Sequence, residues 1–124
     1  MPAVFIVDDD TDMLTSLESF FKKKNFGVKT FSNGHYLLDA IRQDKPELIL
    51  LDINLVNEDG RSICYDIKTS ASTDVKVLLI SADPIALLNY EYSYADGIVN
   101  KPFAFAELER KCDNLLIRKR TWLD

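Results

Sequence analysis

The chain has 124 residues, of which 47% are hydrophobic and 28% are charged, and its formal net charge is -5. This length and balance predict one folded domain, residues 1–124, rather than a disordered chain. The excess of acidic residues argues against direct binding of nucleic acid by the domain. No apolar run approaches the roughly 20 residues that a membrane span requires, so no membrane contact is expected.

The termini and the cysteines favour a cytoplasmic protein. The N-terminus runs directly into a strand-like segment, so no secretory signal peptide is expected. Cys64 and Cys112 are too far apart in sequence for a metal-binding spacing or a disulfide framework, and buried reduced thiols are predicted. Residues 118–124 begin with three basic residues. We interpret them as a C-terminal tail or the start of a linker.

Short aliphatic and β-branched runs alternate along the chain with stretches of helical spacing. The runs predict five strands, at residues 4–7, 28–31, 48–53, 75–80 and 97–99. The third run is apolar on both faces, which is typical of a parallel sheet that helices cover on each side. The alternating order therefore predicts a doubly wound α/β sandwich with right-handed crossovers.

Apolar side chains at helical spacing predict five helices between and after these strands. They fall within residues 13–21, 37–41, 63–67, 84–95 and 105–116. Ser32 or Asn33 is placed to cap the second helix, and Asp59 or a neighbour to cap the third. The fourth stretch carries tyrosines at alternate positions, so this helix is predicted to be short or irregular.

Polar residues follow four of the five predicted strands. They are Asp8, Asp9 and Asp10 after the first strand, Asp52 at the end of the third, Ser81 after the fourth and Lys101 after the fifth. Ligands bind at the carboxyl ends of the strands in an open parallel sheet. We therefore expect these side chains to meet at one edge.

These residue types predict phosphoryl chemistry at a metal site. Three neighbouring carboxylates repel one another unless a cation neutralises them, and Mg²⁺ prefers oxygen ligands. Asp52 lies on a rigid strand, and a screened carboxylate can attack phosphorus to give an acyl phosphate. Lys101 can pair with Asp52 at rest and with a phosphoryl oxygen afterwards, and Ser81 can donate its hydroxyl to another.

These motifs together resemble the receiver domain of two-component response regulators. The matching residues are Asp8-Asp9, the aliphatic run into Asp52, Asp59-Gly60, Ser81-Ala82 and Lys101-Pro102-Phe103. The resemblance covers essentially the whole chain and implies a flavodoxin-like sheet of strand order 2-1-3-4-5. It also implies a phosphoryl donor, either a sensor histidine kinase or a histidine phosphotransfer protein.

The resemblance implies a role for each site residue. Asp52 would be the phosphoacceptor, and Asp8, Asp9, Asp52 and the backbone carbonyl of Asn54 would hold Mg²⁺, or Mn²⁺ in its place. Ser81 and Lys101 would hold the phosphoryl oxygens, Asn54 and Asp83 would tune the lifetime of the phosphoryl group, and Ser81 and Ile98 occupy the switch positions. Such a domain assists only its own phosphorylation and dephosphorylation, so it is expected to be a signalling domain rather than an enzyme. A downstream target or effector domain and a homodimer are the further expected partners.

Three departures from the family pattern bear on signalling. Val56 stands four residues after Asp52, where the family usually has proline. Ile98 replaces an aromatic residue, so it cannot make the aromatic switch of the family. The interval from Ser81 to Lys101 is about two residues short, within the fourth helix. These differences leave a degenerate receiver, acting as a phosphorylation-independent interaction module, as an alternative.

Two other readings are disfavoured by the residues after the first strand. A phosphatase of the haloacid dehalogenase type needs Thr or Val two positions after its Asp-x-Asp pair, whereas Asp12 follows Asp8 and Asp10 here. A flavin-binding flavodoxin would need a phosphate-binding loop with hydroxyl groups and glycine at this point. Three aspartates would repel the anionic cofactor.

Overall fold

Alternating strands and helices account for most of the chain. A computed structural model describes residues 2–70 and 74–116. The strands are β1 (Ala3–Val7), β2 (Gly27–Phe31), β3 (Leu48–Asp52), β4 (Asn54–Leu55), β5 (Glu58–Asp59), β6 (Lys76–Ser81) and β7 (Gly97–Asn100). The helices are α1 (Thr11–Lys23), α2 (Leu37–Asp44), α3 (Gly60–Ser70) and α4 (Phe105–Leu116), with a 3₁₀ helix at Tyr90–Ser93.

The central sheet is parallel throughout, in the order β2-β1-β3-β6-β7. This is the predicted order when the short hairpin of β4 and β5 is not counted. Each of the five predicted strands agrees with its observed bounds to within one residue. The prediction of a doubly wound α/β fold is therefore confirmed.

Helices cover both faces of this sheet, and β3 shows how the sequence produces that arrangement. All five residues of β3 are buried. Leu48 and Leu50 pack with α1 and α4 on one face, whereas Ile49 and Leu51 pack with α2 and α3 on the other. Because side chains alternate along a strand, an unbroken aliphatic run supplies both hydrophobic layers. Cys64 and Cys112, each in one of these layers, are buried free thiols as predicted.

The fourth crossover is the main departure from the predicted helices. Residues 84–95 form turns and the 3₁₀ helix instead of a fifth α-helix, so the described residues contain four. The backbone is left-handed on both sides of the 3₁₀ helix, at Asn89 and at Tyr94. A residue in that conformation cannot continue a right-handed helix, which limits this segment to single turns.

Of the two predicted helix caps, one is wrong and one is confirmed. Neither Ser32 nor Asn33 caps α2, because this helix begins only at Leu37 and has no side-chain cap. The Asn33 side chain instead accepts a hydrogen bond from the backbone N–H of His35. Asp59, the predicted cap of α3, does accept a hydrogen bond from the N–H of Arg61 at 2.9 Å.

Candidate functional site

The carboxyl ends of the central strands bring the predicted site residues together. Asp8 directly follows β1, Asp52 ends β3 and Ser81 ends β6. Lys101 follows β7 and donates its backbone N–H to the carbonyl oxygen of Ser81 at 2.9 Å. Residues that are distant in sequence therefore share one edge because parallel pairing aligns the ends of their strands.

Three acids form a cluster at this edge. Asp8, Asp9 and Asp52 each offer a carboxylate oxygen, and these oxygens lie within 4.8 Å of one another. Asp8 is 2% exposed and Asp52 is 6% exposed, whereas Asp9 is more open to solvent. Asp10 is not part of the cluster, because its side chain caps α1 by accepting from the N–H groups of Asp12 and Met13. The cluster offers the hard oxygen ligands that Mg²⁺ prefers.

Lys101 lies against the two buried acids. Its Nζ is 2.9 Å from Oδ2 of Asp8 and 3.4 Å from Oδ2 of Asp52. Burial alone would lower the pKa of the ammonium group, but hydrogen bonding to Asp8 and the charges of both acids outweigh it and raise the pKa. Lys101 is therefore a fixed positive charge that two carboxylates share.

The pKa of Asp52 is raised from its ordinary value of 3.8 to about 6. Burial is the largest cause, and the neighbouring charge of Asp8 adds to it, while Lys101 and a hydrogen bond from the backbone N–H of Asn54 act in the opposite direction. One lysine therefore does not fully compensate two buried acids. The remaining negative charge favours the binding of a further cation beside Asp52.

A hydrogen-bonded series of residues extends from Asp52 to Asp83. The N–H of Asn54 donates to Oδ1 of Asp52 at 3.2 Å. The hydroxyl of Ser81 donates to Oδ1 of Asn54 at 2.8 Å, and the N–H of Asp83 donates to Oγ of Ser81 at 3.0 Å. Ser81 is completely buried, so its position is set by these bonds and by the end of β6.

Gly60 fixes the backbone behind the phosphoacceptor candidate. A Cβ atom at this position would lie 2.3 Å from the backbone oxygen of Asp52, a distance that no side chain tolerates. The N–H of Gly60 also donates to the carbonyl of Ile53 at 2.8 Å. The Asp59-Gly60 motif in the sequence is the signal for this contact, because only glycine permits such a close approach.

The two residues that depart from the family pattern occupy different environments. Val56, where proline is usual, lies in the turn between β4 and β5 and is exposed. Ile98 is partly buried in β7 and packs against the hydrophobic layer that contains Leu87. Ile98 thus fills space in the sheet layer, and its role as a switch position stays a prediction.

Sequence reasoning did not identify Arg61 as a site residue. Its guanidinium group pairs with Asp59 at 2.7 Å and donates to the carbonyl oxygen of Ala86 at 3.5 Å. It borders a cavity of about 450 Å³ beside the acid cluster, which is also lined by Asp9 and Asp83. The only available signal was an arginine two residues after a predicted helix cap, which is usually an ordinary surface ion pair.

The parallel sheet, with its acid cluster and facing lysine, has the arrangement of a phosphoacceptor signalling domain. The family model described as the response regulator receiver domain matches residues 4–113, and the chain belongs to that family. The expected resemblance is thereby confirmed. No helix among the described residues is long and apolar enough to cross a bilayer.

Relatives and solved structures agree with this assignment. The transcriptional regulatory protein PrrA of Mycobacterium tuberculosis is 36% identical over 123 residues, a match that covers 95% of this chain and 51% of PrrA. The transcriptional activator protein PfeR of Pseudomonas aeruginosa is 29% identical, with 96% of this chain and 39% of PfeR covered. The response regulator TrrA of Thermotoga maritima, solved with Mg²⁺ and BeF, has a TM-score of 0.84 and 26% identity, and the match covers 94% of this chain and 100% of TrrA.

The chain spans about half the length of PrrA and less than half that of PfeR. Both relatives carry names that describe regulators of transcription. The prediction that nucleic acid is not a partner therefore conflicts with the full-length relatives. Its physical basis was the acidic composition of these 124 residues, which carries no information about the remainder of a longer regulator.

Proposed function

We propose that Asp52 accepts a phosphoryl group from the phosphohistidine of a sensor histidine kinase or a histidine phosphotransfer protein. In this step a carboxylate oxygen of Asp52 forms a bond to phosphorus, the P–N bond breaks, and the imidazole leaves with its electron pair and takes up a proton. The observation that carries the proposal is that Lys101 pairs with both buried acids, Asp8 and Asp52, at the ligand-binding edge of the sheet.

The neighbouring residues have separate tasks in this proposal. Lys101, held 3.4 Å from Asp52, would bind a phosphoryl oxygen once the acid is phosphorylated. Ser81 would donate its hydroxyl to a second phosphoryl oxygen. Asn54 and Asp83, which flank Ser81 in the hydrogen-bonded series, are placed to tune the access of water and hence the lifetime of the phosphoryl group.

Asp8, Asp9, Asp52 and the backbone carbonyl of Asn54 would hold Mg²⁺, and Mn²⁺ could replace it. When bound, the ion screens the carboxylate charges and the phosphoryl oxygens from one another. The donor set fits because it consists of oxygen atoms and carries an excess of negative charge, which the raised pKa of Asp52 reflects.

The wider role follows from the family. We propose a cytoplasmic signalling domain that spans residues 1–124 and passes the phosphorylation state to a downstream target or effector domain. It would form homodimers in some states. It would catalyse only its own phosphorylation and dephosphorylation.

One alternative has a specific observation in its favour. Ile98 lacks the aromatic ring of the usual switch, and the fourth crossover lacks an α-helix. A receiver in this state could act as an interaction module without phosphorylation. The complete set of acids and the lysine argue against a loss of phosphorylation.

Phosphorylation of the purified protein separates the two functions. The protein is treated with acetyl phosphate and Mg²⁺, and intact mass spectrometry measures the gain of one phosphoryl group. We expect the wild type and the exposed-acid control Asp66→Asn to be modified, and Asp52→Asn to be unmodified. Equal modification of the wild type and Asp52→Asn would overturn Asp52 as the acceptor, and an unmodified wild type would favour the interaction module.

A further inference from the structure

An apolar groove lies on the side of the molecule formed by α3 and the fourth crossover. It encloses about 520 Å³. Four large apolar side chains line it and are exposed to solvent: Tyr65 (47% exposed), Ile85 (75%), Leu88 (64%) and Tyr92 (80%). We call these four residues the tyrosine groove. Exposed apolar residues that line one concave surface are typical of a protein interaction site, whereas scattered ones are not.

Contacts with neighbouring residues fix the walls of the tyrosine groove. The ring of Tyr94 stacks on Tyr65 with 5.7 Å between centroids. Ser93, next to Tyr92, is buried and donates its hydroxyl to the carbonyl of Tyr90 at 2.6 Å. The groove is therefore a shaped surface rather than a loose collection of side chains.

The charges around the groove favour a basic partner. Asp59 and Arg61, the charged residues that line it, neutralise each other through their ion pair. The groove adjoins the cavity beside the acid cluster, because Ile85 lines both. That cavity is also lined by the acids Glu58 and Asp83. The apolar floor thus has negative charge beside it, which complements an apolar segment flanked by Lys or Arg.

Hydrogen bonds connect the groove to the phosphoacceptor candidate. The series from Asp52 through Asn54 and Ser81 reaches the N–H of Asp83. From there, Oδ1 of Asp83 accepts from the N–H of Ile85 at 3.0 Å. Ile85 is a wall of the groove, so every step between Asp52 and the groove is a direct contact.

A second connection leads from the same segment back to α3. The carbonyl of Asp83 accepts from the N–H of Ala86 at 3.1 Å, and the carbonyl of Ile85 accepts from the N–H of Leu88 at 3.1 Å. The carbonyl of Ala86 in turn accepts from Arg61. Both sides of the groove therefore depend on the position of Asp83.

The hydroxyl of Ser81 has a single proton, and Oδ1 of Asn54 now accepts it. To donate to a phosphoryl oxygen on Asp52, Ser81 must release Asn54. Because Oγ of Ser81 also accepts from the N–H of Asp83, its reorientation shifts the segment that carries Ile85 and Leu88. A local change of one hydrogen bond is thereby transmitted to the groove.

We propose that the tyrosine groove is the surface through which this chain passes its phosphorylation state to a partner, a segment with apolar side chains flanked by Lys or Arg. The dependence on phosphorylation rests on the proposed function, whereas the docking site itself does not. A second copy of the chain is a poorer occupant, because each copy carries a net charge of -5 and does not complement the acids beside the groove.

The experiment uses a synthetic amphipathic helix of leucine and lysine as the probe, with its leucine and glutamate counterpart as the charge control. Amide NMR shifts of the labelled protein locate the contact, and titration gives the affinity with and without Mg²⁺ and beryllofluoride. The double variant Leu88→Ser/Tyr92→Ser removes two walls of the groove. Tyr36→Ser is the matched control, because Tyr36 is 77% exposed and does not line the groove.

We expect shifts confined to residues 59–66 and 83–93, binding about tenfold weaker in the double variant and unchanged in Tyr36→Ser. Mg²⁺ with beryllofluoride should change the affinity by about fivefold or more. Binding elsewhere, equal binding of the leucine and glutamate peptide, or a groove that pairs only with a second copy would each overturn the docking proposal. If beryllofluoride causes no shift at Asp52 and Asn54, the proposed function fails while groove binding still stands. If beryllofluoride shifts the signals of Asp52 and Asn54 but leaves the peptide affinity unchanged, the groove does not transmit the phosphorylation state.

Discussion

Asp52→Asn should stabilise the metal-free protein at neutral pH, although it removes the phosphoacceptor. The folded protein raises the pKa of Asp52 from 3.8 to about 6, chiefly through burial and then through the charge of Asp8. Between these two pH values the folded state binds more protons than the unfolded state, so the free energy of unfolding falls as the pH rises. Above pH 6 the full cost of the buried negative charge is present.

The magnitude follows from the same values. A rise in pKa from 3.8 to about 6 corresponds to about 3 kcal/mol at about 1.4 kcal/mol per pH unit. The pocket opens to water beside Asp9, which lowers this figure, so we expect Asp52→Asn to gain about 1–3 kcal/mol at about pH 7.5. Below about pH 3.8 the gain should vanish, because Asp52 is then protonated in both the folded and the unfolded wild type.

Urea unfolding at several pH values measures this effect. The exposed-acid variant Asp66→Asn is the control and should match the wild type throughout. Mg²⁺ should stabilise the wild type and have little effect on Asp52→Asn, because the ion and the substitution relieve the same repulsion. An Asp52→Asn protein that is equally stable or less stable at about pH 7.5, or a gain that does not depend on pH, would refute the reasoning.

Three further predictions test the structure around the site. Gly60→Ala places a Cβ against the backbone of Asp52, so we expect a loss of about 1–3 kcal/mol in urea unfolding and shifted Asp52 amide signals. Asp10→Ala removes the side-chain cap of α1 and should cost about 1 kcal/mol, with phosphorylation by acetyl phosphate retained; loss of phosphorylation would mean that Asp10 belongs to the site. Mg²⁺ affinity, followed by NMR titration, should fall about tenfold from about pH 7.5 to about pH 5, because protons compete for Asp52. A flat profile would contradict the raised pKa.

The central sheet could be predicted because its signal is local and strong. The aliphatic run of β3 is buried on both faces, and turns or helices with a different period bound each strand. The proximity of Asp8, Asp52 and Lys101 could then be predicted without any distances, because the carboxyl ends of parallel strands lie at the same edge of the sheet. Their mutual contacts at 2.9 and 3.4 Å agree with that inference.

Features that depend on one or two residues could not be predicted. The hairpin strands β4 and β5 have two residues each, too short for any periodic pattern. The left-handed conformation of Asn89 and Tyr94 excludes an α-helix, and the stacking of Tyr94 on Tyr65 of α3 is a tertiary contact that no local pattern reveals. Arg61 gives no signal in sequence because its contact with Ala86 joins two segments that only the fold brings together.

The division of side chains along β3 has an evolutionary consequence. Leu48 and Leu50 belong to one hydrophobic layer, and Ile49 and Leu51 belong to the other, with the sheet between them. Free-energy changes from substitutions in separate layers should add, because the altered side chains share no contacts. Helices on one side can therefore diverge for new binding partners without compensating changes on the opposite side.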